Sequence, residues 1–92
     1  MTDKIFLAGV SGIGYHGVFE QEKREGQTFR VDIEVTSDFS AAVKSDDVRD
    51  TVNYAELANI AHAAITGEPF DLIEKLADVI ARDCLDIAGV TA

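Results

Sequence analysis

Apolar and polar side chains alternate with a period of two along residues 29–36. The apolar positions are Phe29, Val31, Ile33 and Val35. This period is typical of a β-strand with one face buried and the other in water. The run over residues 4–15 is instead apolar on both faces and is interrupted by glycines, so it predicts a buried strand that bends or bulges at them.

Two segments in the second half of the chain carry apolar residues at helical spacing. The first begins with Asn53, has Glu56 three residues later as in a capping box, and ends at Gly67. The second begins with Asp71 and has Glu74 at the same spacing. Its apolar stripe predicts a face packed on the core. The stripe consists of Ile73, Leu76, Ala77, Ile80, Cys84 and Ile87.

The remaining segments complete a β-β-α-α order, which is the α+β class. Residues 20–26 (EQEKREG) predict a charged loop, and residues 40–50 predict a surface segment with a short apolar turn and an acidic cluster. Val90 and Thr91 resemble the start of a further strand. Because a two-stranded sheet has both edges open and is marginal by itself, we expect more strands from missing sequence or from other chains.

Composition limits the functions open to this chain. Its 92 residues fit a single domain spanning residues 1–92. Eight basic and 17 acidic side chains give a net charge of −9, which disfavours nucleic acid and anionic membrane surfaces as partners. One cysteine forms no internal disulfide, no zinc-ligand spacing is present, and no apolar run approaches the roughly 20 residues that span a bilayer. We therefore expect a cytoplasmic protein without a metal.

Glu74 has two different structural interpretations, one as a helix cap and one as a ligand-binding residue. It is either the third residue of a capping box with Asp71, or a carboxylate that faces a cleft beside the small Ala77 and Ala81. In the second case it can accept two parallel N–H bonds from an amidine-like edge, such as that of a pterin or guanine. Both interpretations remain open from the residues alone.

Other candidate groups have ordinary explanations by residue type. Tyr54 is by default a packing aromatic, and Glu22 is part of a solvated charged loop. We expect His16 to be a loop histidine that forms a backbone hydrogen bond, and His62 to be a structural residue of the first helix. Cys84 lies on the apolar stripe between acidic neighbours that disfavour a reactive thiolate.

Several separated segments nevertheless resemble dihydroneopterin aldolase of folate biosynthesis, in order and in spacing, over essentially the whole chain. The segments are Ile5-Phe6-Leu7 with Gly9; Gly14-Tyr15-His16-Gly17-Val18; Glu22; Gly26-Gln27 with Phe29 and Val31-Asp32; Ser45-Asp46-Asp47 with Asp50-Thr51-Val52-Asn53-Tyr54; and Leu72-Ile73-Glu74-Lys75-Leu76-Ala77.

The resemblance implies a lyase. It would cleave 7,8-dihydroneopterin by a retro-aldol reaction into 6-hydroxymethyl-7,8-dihydropterin and glycolaldehyde, without a cofactor or a metal, because the pterin ring itself accepts the electrons. Members commonly epimerise C2′ as well, and some have an oxygenase side reaction. Two alternatives stay open: an epimerase acting on dihydroneopterin or its triphosphate, and a subunit that binds pterins without turnover.

The resemblance also implies a fold and a set of site residues. The fold is the tunnelling fold, in which antiparallel sheets join around a homo-oligomeric ring, and the rings stack as octamers with sites between subunits. Glu74 would anchor the pterin with the Ile73 backbone beside it. Tyr54 would come from a neighbouring subunit, near the side-chain carbon that is protonated, and Glu22 would bind near the hydroxylated tail.

The chain departs from the family pattern in one respect. The family carries a catalytic lysine in a Lys-Pro motif on the strand after the second helix, whereas Lys4, Lys23, Lys44 and Lys75 all precede that position. The chain ends where the family's third strand would begin. We therefore expect a C-terminally shortened subunit that lacks two strands and this lysine.

Overall fold

Two long strands and two long helices dominate the structure, a computed structural model that describes residues 2–92. In chain order, the elements are β1 (Asp3–Gly14), α1 (Glu20–Glu25), β2 (Gln27–Ser37), α2 (Ser40–Ser45), a 3₁₀ turn (Val48–Asp50), α3 (Tyr54–Thr66) and α4 (Ile73–Leu85). The α+β class predicted from the sequence is confirmed.

The strands β1 and β2 pair antiparallel along nearly their whole length, and the pairing is interrupted once. The register shifts between Leu7 and Val10, so that one extra residue of β1 bulges out of the ladder. Gly9 lies in this bulge with φ of +79°, a conformation that favours glycine. Its N–H donates to Asp32 Oδ1 across the sheet at 2.8 Å. The predicted glycine bulge is thus confirmed.

Burial of β1 differs from the prediction. Its side chains alternate between partly buried and exposed positions, and Phe6 is 65% exposed. The expectation of a strand buried on both faces is wrong, because the helices of this chain cover only one face of the sheet. An apolar pattern alone does not distinguish burial within one chain from burial against another surface.

The core lies between the inner sheet face and the two long helices. Each helix contributes residues four apart: Leu57, Ala61 and Ile65 from α3, and Leu76, Ile80 and Cys84 from α4. Burial of such apolar side chains is the main stabilising contribution to a domain of this size. The stripe predicted for the second helix is confirmed at these α4 positions, although Ile73 and Ala77 of that stripe lie exposed.

The two long helices begin differently. At α3 the predicted N-cap is confirmed, since Asn53 Oδ1 accepts a hydrogen bond from the Ala55 N–H at 2.9 Å. At α4 the N-cap is Leu72, which has no capping side chain, so the predicted capping box on Asp71 is wrong. Asp71 lies one residue too early to cap the helix and forms an ion pair with Lys23 instead.

The two segments predicted as loop or surface turn contain short helices. Residues 20–25 form α1, because the Glu22 carboxylate folds back and accepts from the Phe19 N–H at 3.1 Å. Residues 40–45 form α2, which Asp46 ends in a left-handed conformation with φ of 53°. The charged-loop prediction is wrong because local capping can hold a helix that has no buried residue.

The last residues of the chain run beside β2. The Thr36 N–H donates to the Ala92 C=O at 2.8 Å, and the Thr91 N–H donates to the Thr36 C=O at 2.9 Å. Both Thr36 groups face away from β1, so these contacts lie on the second edge of β2. The strand start predicted at Val90 and Thr91 is thus confirmed at Thr91, which with Ala92 begins to pair with the sheet without forming a regular strand, whereas the Val90 N–H donates to the Ile87 C=O. No helix within residues 2–92 has the length and apolar character needed to cross a membrane.

Candidate active site

The candidate residues Glu22, Ile73 and Glu74 lie on segments that meet at one end of the molecule. The segment after β1 is joined to the segment before α4 by a hydrogen bond from the Gly17 N–H to the Phe70 C=O at 2.9 Å. The ion pair between Lys23 and Asp71 joins α1 to the same segment. Residues that are about 50 positions apart in sequence are therefore neighbours in the fold.

Glu22 is held by the residues around it. One carboxylate oxygen accepts from the Phe19 N–H at 3.1 Å, and the other accepts from the Gln27 side-chain amide at 3.1 Å. Gly17 packs so closely against this carboxylate that a Cβ on Gly17 would lie 2.5 Å from one of its oxygens. The side chain is thus fixed between Gly17, Phe19 and Gln27, and each oxygen keeps further lone pairs that can accept from a ligand.

Glu74 is positioned differently, in the exposed first turn of α4. Its carboxylate makes no hydrogen bond or ion pair with any of residues 2–92. The Leu72 C=O accepts from the N–H groups of Lys75 and Leu76, whereas the N–H groups of Ile73 and Glu74 have no partner within this part of the chain. A helix start leaves such donors free. The α4 start therefore offers a carboxylate acceptor and backbone donors side by side.

An open groove of about 470 Å³ runs from this region along α4 and β2. Ile73, Ala77 and Ala81 line its helix side, and Ile33 and Val35 belong to its sheet side. The cleft that the sequence predicted beside the small alanines is therefore present. Glu74 itself is not among its lining residues, and its neighbour Ile73 is the residue that connects the carboxylate to the groove.

Tyr54 lies apart from the other candidates. It is the first residue of α3 and is 65% exposed, whereas Ile65, near the other end of α3, is in contact with the segment that follows β1. Eleven residues of helix separate the two by about 16 Å. The structure therefore places Glu22, Ile73 and Glu74 on segments that adjoin each other, and it places Tyr54 at the opposite end of α3.

His16 is fully buried, and its ring nitrogens contact two backbone groups, so the predicted loop histidine with a backbone hydrogen bond is confirmed. The sequence prediction did not find its partner Phe70, which joins the segment after β1 to the segment before α4. The signal available in the sequence was an apolar residue between Pro69 and Asp71, in a turn where a polar residue is expected.

Two titratable groups outside this region have perturbed environments. Burial, and secondarily the charge of Asp83, raises the pKa of the Cys84 thiol, which agrees with the inert core cysteine predicted from the sequence. Hydrogen bonds from the Arg49 guanidinium and N–H hold the pKa of the Asp47 carboxyl below its ordinary value. Asp47 lies in the segment that leads towards Tyr54.

Comparisons with known proteins place this geometry in context. Residues 5–92 match the family model described as FolB, dihydroneopterin aldolase. The dihydroneopterin aldolase of Bacillus subtilis is 44% identical over 83 residues, which cover 90% of this chain and 69% of that protein. The dihydroneopterin aldolase of Streptomyces coelicolor is 43% identical over 88 residues, which cover 96% of this chain and 74% of that protein.

A solved structure gives the same similarity in three dimensions. The crystal structure of Escherichia coli dihydroneopterin aldolase in complex with neopterin superposes with a TM-score of 0.85 and 35% sequence identity. The match covers 90% of this chain and 72% of the E. coli chain. The α+β arrangement seen here is therefore that of the dihydroneopterin aldolases.

Proposed function

This chain belongs to the dihydroneopterin aldolase family, and we propose that it acts as an aldehyde-lyase on 7,8-dihydroneopterin in folate biosynthesis. One observation carries the proposal. The exposed α4 start presents a carboxylate and backbone N–H groups that have no partner among residues 2–92, in a chain similar to an E. coli enzyme whose structure contains neopterin.

Glu74 would recognise the pterin ring. The N3–H and the 2-amino group of a pterin form a pair of parallel donors, and an ionised carboxylate accepts both at once. The neighbouring Ile73 N–H would donate to an acceptor on the same ring edge. Because Glu74 has no partner among residues 2–92, it can form these bonds without breaking others.

The proposed reaction cleaves the bond between C1′ and C2′ of the substrate side chain. The 2′-hydroxyl loses its proton, C2′ becomes the aldehyde carbon of glycolaldehyde, and the electron pair of the broken bond moves into the N5=C6 imine of the ring. A proton then returns to C1′ and gives 6-hydroxymethyl-7,8-dihydropterin. The ring acts as its own electron sink, so positioned acids and bases suffice.

Glu22 and Tyr54 would act at the substrate side chain. The Glu22 carboxylate, fixed by Phe19 and Gln27, would accept hydrogen bonds from the hydroxylated tail. The Tyr54 phenol would lie near C1′, where the proton returns. A pterin is too short to bridge from Glu74 to the Tyr54 end of α3 within one chain, so Tyr54 would come from a second copy.

A homo-oligomer with sites between subunits is therefore part of the proposal. The exposed large apolar side chains support it, since Phe6, Phe19 and Val43 are at least 65% exposed. A cytoplasmic location is also part of it, and Cys84, a free and buried thiol, fits a reducing compartment.

Two other functions of the same site remain candidates. The carboxylate that anchors the ring would equally hold dihydroneopterin or its triphosphate for epimerisation at C2′. Binding of a pterin without turnover is the other candidate, because the same carboxylate could hold the ring without cleaving the side chain.

The test incubates the chain with 7,8-dihydroneopterin and measures glycolaldehyde, the C2′ epimer and bound pterin. Glycolaldehyde release supports the lyase, epimer formation without glycolaldehyde supports the epimerase, and binding alone supports the pterin-binding subunit. The chain has no tryptophan, so pterin fluorescence can be followed directly in a neopterin titration. A chain that binds neither pterin contradicts all three functions.

A further inference from the structure

His16 is the fully buried polar side chain closest to the candidate site, and the proposed chemistry does not use it. Its Nε2 lies 2.8 Å from the Ile65 C=O, and its Nδ1 lies 3.0 Å from the Phe70 N. The ring also packs edge-on against Phe29 and stacks on Phe70, with centroid distances of 5.2 and 5.6 Å. One side chain thus connects the end of β1, the end of α3, β2 and the segment before α4.

These contacts fix the tautomer of the ring. The Phe70 N–H is a donor, so Nδ1 must accept and carries no proton. The Ile65 C=O is an acceptor, so Nε2 must donate. Only a neutral imidazole protonated at Nε2 satisfies both, because an imidazolium would set two N–H groups against each other at Nδ1.

The sequence explains why the end of α3 needs this donor. In an α-helix the C=O of residue i accepts from the N–H of residue i+4, and four residues after Ile65 the chain has Pro69, which has no N–H. His16 Nε2 supplies the missing donor. Gly14 makes room for it, since a Cβ on Gly14 would lie 2.5 Å from the Ile65 oxygen and 2.8 Å from His16 Cδ2.

The other ring nitrogen acts on the candidate site. The Phe70 N–H donates to His16, and the Phe70 C=O accepts from the Gly17 N–H at 2.9 Å, so both backbone groups of Phe70 are held by two consecutive residues. Phe70 precedes Ile73 by only three residues. Since no side chain caps α4, this clamp and the exposed ion pair of Asp71 fix the approach to its first turn.

We propose that His16 is a positioning residue of the pterin site: its neutral ring, held in one tautomer, clamps Phe70 and thereby sets the position of Ile73 and the Glu74 carboxylate. The inference rests on the proposed function, because the ligand it serves is the pterin. The two ring nitrogens of His16 then have separate roles: Nε2 stabilises the fold, and Nδ1 supports ligand binding.

Two substitutions separate these roles. His16→Asn places an amide oxygen near the position of Nδ1 and keeps the acceptor for Phe70, while it loses the donor to Ile65. His16→Gln places its amide nitrogen near the position of Nε2 and keeps the donor, while it loses the acceptor. Both variants lose the ring packing against Phe29 and Phe70, so both are expected to melt at a lower temperature than the wild type.

The readout is the Kd for neopterin, measured below the melting temperature of each variant. His16→Gln is expected to bind about tenfold more weakly, which corresponds to the loss of one positioning hydrogen bond, whereas His16→Asn is expected to bind nearly as tightly as the wild type. A role limited to stability would weaken both variants equally or neither, and either result would overturn the inference. Absence of neopterin binding by the wild type would instead overturn the proposed function.

A measurement on the wild-type chain keeps the inference testable if either variant does not fold. Nitrogen NMR of His16 distinguishes a protonated ring nitrogen from an unprotonated one. We expect Nε2 protonated and Nδ1 unprotonated, with the Phe70 amide protected from hydrogen exchange. A proton on Nδ1, or a rapidly exchanging Phe70 amide, would overturn the inference.

Discussion

The two ends of α3 lie in opposite structural settings, one next to the segments that carry Glu22 and Glu74 and the other at Tyr54. At the C-terminal end, Ile65 is fully buried and its C=O is bonded to His16, which also holds Phe70. At the N-terminal end, Tyr54 is 65% exposed, and the side-chain bond that residues 2–92 provide at the helix start is the local cap, in which Asn53 Oδ1 accepts from the Ala55 N–H. The C-terminal end of α3 is held by hydrogen bonds to residues distant in sequence, whereas the N-terminal end is exposed to solvent.

This difference indicates which parts of the site one chain prepares by itself. Pre-organised binding groups cost less to order when a ligand arrives. The Glu22 and Glu74 end is held by contacts between segments about 50 residues apart, so a single chain defines its geometry. Tyr54 gains comparable support only by packing against another surface, as the proposed second copy provides.

The largest expected effect is on neopterin affinity, and it tests the end of the molecule that carries Glu22 and Glu74. Glu74→Gln keeps the size of the side chain but removes the charge and replaces one acceptor by a donor, which would oppose the ring N–H groups. We expect neopterin affinity to fall on the order of 10²- to 10³-fold. A fluorescence titration with neopterin measures this loss.

The matched control is Glu68→Gln, an exposed glutamate in the segment between α3 and α4. It makes the same change of charge close to the site without removing the proposed anchor, so its affinity should stay near that of the wild type. Equal losses in the two variants would show that net charge, rather than a specific contact, controls binding.

The next prediction tests whether Glu74 of one copy and Tyr54 of a second copy form one site. Glu74→Gln and Tyr54→Ala chains are unfolded together in equal amounts and refolded. Random pairing of two chains at each interface leaves about one quarter of the sites with both native residues. Tight neopterin sites should therefore appear in the mixture at about one quarter of the wild-type number.

Each variant refolded alone is the control and should show no tight sites. Glu74→Gln loses the ring anchor, and Tyr54→Ala loses the phenol that would contact the substrate side chain. A mixture without tight sites would contradict a site shared between two copies. The number of sites per chain, obtained from titrations at high protein concentration, distinguishes this result from a general weakening of binding.

The sequence predicted the elements that depend on local pattern. The alternation over residues 29–36 marked β2, the glycines marked the bulge in β1, and Asn53 marked the start of α3, because each signal acts within a few residues. The start of α4 was misplaced because its N-cap, Leu72, has no capping side chain and its position depends on distant contacts.

The site residues also differ in whether local sequence or distant contacts determine their role. Glu74 carries two interpretations in the sequence, and spacing alone does not choose between them, since a capping glutamate and a ligand anchor occupy the same helix position. The structure removes the capping interpretation, because α4 has Leu72 as its N-cap and no side chain caps it. The role of Phe70 was not predictable, because it arises from bonds to His16 and Gly17 across more than 50 positions in sequence.

An effect of intermediate size is expected on thermal stability, at the contact between β1 and the C-terminal end of α3. Gly14→Ala adds a methyl group 2.5 Å from the Ile65 oxygen and 2.8 Å from His16 Cδ2, so either the helix end or the ring must shift. We expect a loss of about 1–3 kcal/mol, which lowers the Tm by roughly 5–20 °C in a domain of this size.

Gly12→Ala is the matched control for this stability prediction. In the same strand, an added Cβ on Gly12 would meet only side-chain atoms at 3.2 Å or more. Its Tm should fall by less than half as much. An equal loss in thermal melts would mean that any methyl group on this strand is costly, and that the space beside His16 has no special role.

The smallest expected effect tests the exposed end, through Asp47. Its pKa is depressed, so between the folded value and the ordinary value of 3.8 the unfolded state binds more protons and stability rises with pH. Above 3.8 the contribution of the Arg49 contact is complete, and it is lost as the pH falls through the folded pKa. The Tm difference between the wild type and Asp47→Asn should therefore be largest near neutral pH.

Added salt should reduce that difference, because the contact is exposed to solvent. The matched control is Asp46→Asn, which makes the same change of charge one residue away without the contact to Arg49. If the Tm of both variants changes with pH in parallel with that of the wild type, the Asp47 contact contributes nothing to stability. Within residues 2–92, the Asn53 cap would then hold the start of α3 until the proposed second copy packs against Tyr54.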